Sequence, residues 1–266
     1  MHGFALSREQ FDAISGAVLV AGNVIMDIYA EPIDVSLKED RSPVTKADTA
    51  AEKVILAAMA EIAPDIPVIS EEAASAGHIP ETNSLFFLVD PLDGTREFIS
   101  RNGEFTVNIG LIENGRAIAG FVYAPAKSMF FRGALSSGAE IAEINPEASI
   151  GTANWQPIKV SAAPDGERIA VASRSHGDAE TTAFLEENGV VRTIRAGSSL
   201  KFCLIANGKA HIYPRMGRTM EWDTAAGQAV LEAAGGSVIT KDGAPLRYGK
   251  KERGHDNPHF IARAWA

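Results

Sequence analysis

A chain of 266 residues, 45% of them apolar and without a long biased tract, can bury one globular core or two closely packed halves, which excludes a wholly disordered protein. The formal charge of −9 excludes the basic stripe that duplex nucleic-acid binding normally needs, and it repels an anionic substrate unless cations offset it locally. A single cysteine, Cys203, leaves no intrachain disulfide and no cysteine-based metal site, and its neighbours Phe202, Leu204 and Ile205 make it a core thiol.

Met1-His2-Gly3-Phe4 carries no basic region ahead of a secretory apolar run, and Gly16, Gly22, Asn23 and Asp27 interrupt the apolar residues of 11–30. A soluble cytoplasmic protein without a transmembrane segment is expected, with attachment to the inner membrane face left open. Ser7 and Gln10 form a capping-box pattern, and Phe11, Ile14, Val18, Ala21, Ile25 and Ile28 follow at helical spacing, so a long amphipathic helix opens the chain. The polar segment 38–45 reads as a loop. Thr45-Lys-Ala-Asp48 then opens a second helical pattern through Val54, Ile55, Ala58 and Ile62, with Asp48 in the first turn, facing back toward the loop.

Apolar runs at 66–69 and 85–89 read as buried strands that each end in acid, Ser70-Glu71-Glu72 after one and Asp90 after the other. Segments 106–112 and 116–123 make a hairpin about Glu113-Asn114-Gly115. Residues 1–155 therefore read as an α+β subdomain with antiparallel pairing. Residues 156–266 read as an α/β subdomain, with strands at 168–172, 191–195 and 211–213 and helices near 179–187, near 199–207 and from Asp223. No linker separates the two.

The chemistry concentrates in Val89-Asp90-Pro91-Leu92-Asp93-Gly94-Thr95. Two carboxylates three residues apart about a proline can be aimed, with the Leu92 carbonyl, at one point. Gly94 permits a close backbone approach, and a helix opening at Thr95 turns its free N–H groups toward an anion such as phosphate. Crowded carboxylates raise one another's pKa unless divalent ions neutralise them, and magnesium prefers such hard oxygen ligands. Taken singly, Asp90 and Asp93 read as turn or cap residues and Glu71-Glu72 as a solvated loop. Their joint placement after two buried strands favours a metal-assisted phosphate site.

Asp90-Pro-Leu-Asp-Gly-Thr95, with Ser70-Glu-Glu72 upstream and Glu221-Trp-Asp-Thr-Ala-Ala-Gly227 downstream, resembles the inositol monophosphatase superfamily. That resemblance implies an α+β fold, a layered αβαβα sandwich. The stretches 42–45, 101–109, 173–176, 197–204 and 213–215 are most similar to the bacterial CysQ-type 3′(2′),5′-bisphosphate nucleotidases. By position, the resemblance gives Glu71, Asp90 and the Leu92 carbonyl one magnesium ion and gives Asp90, Asp93 and Asp223 a second. A third, weaker ion between Glu71 and Asp48 stays open. It further implies that Asp48 and Thr95 relay the proton of an attacking water, with Glu72 in support, and that attack is in line without a phosphoenzyme.

The same resemblance sets a small phosphorylated substrate against Glu71, Leu92, Asp93, Gly94, Thr95 and Asp223. Lys201 and Arg215 are given the retained phosphate, with Ser198 nearby, and Ser175 and His176 the ribose or base. Taken alone, Lys201, Arg215 and His176 would read as surface residues. The position of Arg215 is acidic in inositol-specific relatives, so a guanidinium there tilts the substrate toward adenosine 3′,5′-bisphosphate (PAP), yielding AMP, with PAPS to APS as a further candidate reaction. Two alternatives stay open: a broader inositol or sugar monophosphatase, and a non-catalytic binding partner on this fold. So does a homodimer. Arg41, Arg96, Arg218 and Glu221 depart from the pattern, and Glu221, beside Asp223, is expected to bear on substrate preference or metal affinity. Trp155 and Trp222 read as packing residues, and Thr224-Ala-Ala-Gly227 suits a helix lying close on a sheet.

Overall fold

The computed structural model describes residues 3–33, 35–37, 43–162, 168–173 and 179–265. Helix α1 (Arg8–Ala30) starts where the capping box places it: Ser7 Oγ accepts from the Gln10 N–H and Gln10 Oε1 accepts from the Ser7 N–H. The helix is long and apolar enough to cross a membrane, yet Phe11, Ile14, Val18, Ala21 and Ile25 are buried against the protein's own sheet. That is the behaviour of a core helix.

The segment read as a loop, 38–45, ends in a short strand, β2 (Pro43–Thr45), which pairs antiparallel with β1 (Val35–Leu37) just before it. Val35-Ser36-Leu37 alternates apolar and polar, but the run is only three residues long and all of β1 is exposed. There follow α2 (Lys46–Ile62), β3 (Val68–Ser70), α3 (Glu71–Ser75), β4 (Leu85–Asp93), α4 (Thr95–Ile99), β5 (Thr106–Glu113), β6 (Arg116–Ala124), β7 (Met129–Ala134), β8 (Gly138–Glu143) and β9 (Gln156–Ile158). Strands β3 to β9 form a seven-stranded sheet in chain order, parallel only between β3 and β4. Asn114 and Gly115, both at positive φ (51° and 74°), make the two-residue turn between β5 and β6.

The remaining elements are β10 (Arg168–Ser173), α5 (Ala179–Glu187), β11 (Val190–Ala196), α6 (Leu200–Ala206), β12 (Ile212–Arg215), α7 (Ala225–Ala233), β13 (Ser237–Thr240) and β14 (Phe260–Arg263). They build a mixed five-stranded sheet, β11-β10-β12-β14-β13.

Alternation along β4 sorts the layers. Phe87 and Val89 pack with α1 and α2, whereas Phe86 and Leu88 belong to the core that holds α6 and α7. Those two helices also cover the second sheet, where the Phe202 ring lies 5.4 Å from Tyr213 and 5.8 Å from Phe260. On the far side of that sheet Ala170, Ile212, Met216 and Ile261 meet Phe184 and Leu185 of α5. The resulting order is αβαβα, as the sequence resemblance implies. Cys203 is buried, and burial pushes its thiol pKa up, in keeping with a core role. Trp222 is also in the core, and Trp155 packs against Phe130 and under the Arg132 guanidinium.

Candidate active site

Strand β4 does not stop at Val89. It runs on to Asp93 with one extra residue relative to β5: Asp90 opposes Asn108 and Asp93 opposes Thr106. This bulge re-aims the strand so that both carboxylates point toward one cleft, and the Leu92 N–H donates to Asp90 Oδ1 at 3.0 Å. Gly94, at φ 93°, then turns the chain into α4 at Thr95. Strand β3 lies alongside, with Ser70 opposite Val89, and thereby delivers Glu71 next to Asp90. Asp223 arrives from the loop before α7, its Oδ2 accepting from the Met220 N–H at 2.9 Å. Carboxylate oxygens of Glu71, Asp90 and Asp223 lie within 4.8 Å of one another.

Burial, followed by Glu71, Asp93, Asp223 and Asp48, pushes the Asp90 carboxyl well above the usual carboxylate range. Asp223 is raised in the same way by burial and then by Asp93 and Glu71. Burial raises Asp93 to about 6 even though Lys201 and Asn108 oppose it. The protein thus gathers hard oxygen donors where each opposes the ionisation of the next, and that donor set fits a divalent cation such as magnesium.

A pH prediction follows from the raised value of Asp93. Its folded pKa of about 6 exceeds the ordinary 3.8, so its contribution to stability is present below the lower value and is lost as pH rises through the higher one. Metal-free protein is therefore expected to melt at a higher temperature near pH ~5 than near pH ~7. Saturating magnesium is expected to remove or reverse that difference, and scanning fluorimetry with chelator and with magnesium measures both.

Asp48 closes the N-terminus of α2. Its Oδ2 accepts from Thr45 N–H at 2.8 Å and Thr45 Oγ1 at 2.7 Å, and its Oδ1 accepts from Thr95 Oγ1 at 3.1 Å. Burial raises the Asp48 carboxyl against these bonds. Glu72 sits half-buried in the first turn of α3, and its N–H donates to Glu52 Oε1.

A cleft of about 290 Å³ is lined by the acidic cluster, by Gly94, Thr95 and Ser198, and by Lys201, Tyr213 and Arg215. Lys201 is 8% exposed, and burial lowers its pKa to about 8 despite the nearby Asp93. Arg215 donates through Nη2 to the Arg218 carbonyl, while its buried Nε has no hydrogen-bond partner among the described residues. Ser198 lines the cleft, with its hydroxyl 2.7 Å from the carbonyls of Asp93 and of Glu104. Arg96 also lines the cleft, and Arg218 pairs with Asp256 at the surface. Arg41, Ser175 and His176 lie outside the described residues.

Glu221 lies beside Asp223 in sequence but does not line the cleft. It is fully buried, and its carboxylate accepts from the Gly249 and Lys250 N–H groups and the Lys250 ammonium, with His255 Nδ1 2.8 Å away. Burial alone would raise this carboxyl, but the bond from His255 and the charge of Lys250 outweigh it and hold the pKa low. Glu221 therefore anchors the Trp222-Asp223 loop to residues 249–255 and does not face the substrate cleft. Glu221→Ala is expected to cost about 3 kcal/mol by leaving buried donors unpaired, measurable by urea unfolding. Sequence reasoning also passes over Asn108, Ser199 and Glu52; a polar Asn108 between Val107 and Ile109 in an apolar strand is the available signal.

A model of the inositol monophosphatase family matches residues 7–264. The chain belongs to that family. It is 46% identical over 234 residues to the 3′(2′),5′-bisphosphate nucleotidase CysQ of Shigella flexneri, covering 87% of this chain and 91% of the relative. It is 41% identical over 248 residues to CysQ of Buchnera aphidicola, covering 92% and 90%. Among solved structures, CysQ from Bacteroides thetaiotaomicron superposes with a TM-score of 0.80 at 36% identity, covering 97% of this chain and 99% of that one. An inositol monophosphatase from Anabaena follows with a TM-score of 0.73 at 27% identity, covering 96% and 90%. The family fold thus accounts for both sheets and for the helices that cover them.

Proposed function

We propose that this member of the family is a magnesium-dependent 3′(2′),5′-bisphosphate nucleotidase that removes the 3′-phosphate of PAP to give AMP and phosphate, and that accepts PAPS by the same chemistry. The observation that carries the reading is that one cleft is lined both by the carboxylates of Glu71, Asp90, Asp93 and Asp223 and by two cations, Lys201 and Arg215. A polyol monophosphate has no use for two cations beyond the reacting phosphate, whereas a bisphosphate presents a second anion there. The likeness to the CysQ relatives supports the same choice.

On this reading Glu71, Asp90 and the Leu92 carbonyl would hold one magnesium ion, and Asp90, Asp93 and Asp223 would hold another. Magnesium in such a pair supplies Lewis acidity to the phosphoryl group and lowers the pKa of water. Asp48, fixed by Thr45, accepts the hydrogen of Thr95 Oγ1 and leaves the Thr95 oxygen able to take a proton from the attacking water. Glu72 supports this end of the site from α3. Gly94 lets the backbone come close to the phosphate, and Ser198 holds the wall of the cleft at Asp93. We read residues 1–155 and 156–266 as two packed subdomains, so that the site lies between them and Asp223 is the contribution of the second.

Arg215→Ala is expected to lower kcat/KM for PAP by about 10- to 100-fold, the worth of a lost charge-assisted hydrogen bond. Turnover of inositol 1-phosphate by the same variant should change little. Equal losses on both substrates would sink the nucleotidase reading in favour of a broader monophosphatase.

A further inference from the structure

Asp93 comes from β4 and Asp223 from the loop before α7, and two half-buried carboxylates repel each other unless something ties their elements together. A tie is present. Asn108, fully buried on β5, donates from Nδ2 to Asp93 Oδ2 at 3.2 Å and to Ser199 Oγ at 3.0 Å. Ser199, 1% exposed, donates its hydroxyl hydrogen to the Asp223 carbonyl at 2.9 Å.

The direction of this chain of bonds is fixed. An amide nitrogen cannot accept, so the Ser199 oxygen must receive from Asn108 and send its own hydrogen to Asp223. Turning the amide over would set Asn108 Oδ1 against the Asp93 carboxylate, and in the arrangement observed that oxygen is buried without a partner among the described residues. An asparagine with an unsatisfied oxygen stabilises this sheet less than valine or leucine would. Its contribution is to the carboxylates.

We propose that Asn108 and Ser199 are positioning residues, a polar bridge that holds Asp93 and Asp223 at the spacing a shared cation site requires. The proposal rests on the metal-binding reading of the acidic cluster. Asn108 keeps the Asp93 side chain from swinging toward Lys201, and Ser199 sets the height of the loop whose Met220 N–H orients the Asp223 carboxylate. Neither residue lines the cleft.

The test is direct Mn²⁺ binding, followed by electron paramagnetic resonance on the full chain, beside the magnesium concentration for half-maximal phosphate release. Asn108→Ala and Ser199→Ala are each expected to weaken Mn²⁺ binding about 10-fold, as is usual when a group orienting a ligand is lost. The double variant should fall short of the ~100-fold product, because both residues act through one chain of bonds. Mn²⁺ affinity within twofold of wild type in both single variants would overturn the proposal, even if melting temperatures fell, since that pattern is plain packing. Should Asn108→Ala fail to fold, Ser199→Ala, which removes one oxygen, decides the matter alone. Wild-type protein that binds no Mn²⁺ at millimolar concentration would overturn the metal reading, and this proposal with it.

Discussion

Asp90→Asn is expected to reduce phosphate release by about 10³-fold or more, because it removes the carboxylate common to both proposed ions and with it several kcal/mol of charge stabilisation. The same substitution should raise the melting temperature of the metal-free protein. The two effects have one origin. Asp90 is buried, and Glu71, Asp93, Asp223 and Asp48 all oppose its ionisation, so without a cation its charge is a burden on the fold. A neutral amide of the same shape relieves that burden and removes the reason for a cation to bind. Wild-type protein should gain about 2.7 kcal/mol at a magnesium concentration ~100 times its Kd, and the variant should gain little. Activity above a tenth of wild type, or a lower metal-free melting temperature, would contradict the assignment.

Gly120→Ala is expected to be strongly destabilising, with the tightest approach among the described glycines. Gly120 faces α7, and a Cβ there would lie 2.2 Å from the Ala226 carbonyl oxygen and 2.9 Å from both the Ala226 carbonyl carbon and Ala229 Cβ. Gly110 on the neighbouring strand is similarly pressed, with its absent Cβ 2.7 Å from Ala225 Cβ. Backbone cannot yield as a flexible side-chain end would, so the helix must move bodily. Overpacking of this kind costs about 3 kcal/mol or more, which urea unfolding would measure. Because α7 begins just after Asp223, activity should fall before the protein unfolds. Gly16→Ala serves as the control: its nearest atom is Ile150 Cγ2 at 4.0 Å, and a helical alanine there should stabilise by about 0.5–1 kcal/mol.

The parts of the fold legible in the sequence are those specified locally. Ser7-Gln10 and Thr45-Asp48 announce their helices because a cap is a contact between residues three apart. The Asn114-Gly115 turn announces the β5–β6 hairpin because both residues must take positive φ. Strands β7, β8 and β9 are missed. In β7 the buried run includes Arg132, whose charge is matched by Asp12 on α1 and Glu140 on β8, partners no local window contains. The order of the five-stranded sheet, with β14 between β12 and β13, likewise depends on pairing between distant segments.

At the site, the acidic residues were legible and their setting was not. Asp90-Pro-Leu-Asp-Gly-Thr95 points to the proposed chemistry, but the bulge that lets β4 continue through it depends on its register against β5. Glu221 beside Asp223 suggests a bearing on substrate preference or metal affinity, but its partners, Lys250 and His255, lie far along the chain and no local window contains them.

The capping box of α2 has one more consequence. The carboxylate at the start of this helix also accepts from the Thr95 hydroxyl, with Oδ2 serving the helix and Oδ1 the proposed proton relay. Protonating Asp48 weakens its hold on the Thr45 N–H, and the backbone there frays. Amide hydrogen exchange at Thr45 therefore records the charge on Asp48 from outside the reaction, with no substrate present, which makes one backbone proton a gauge of whether the site is ready to turn over.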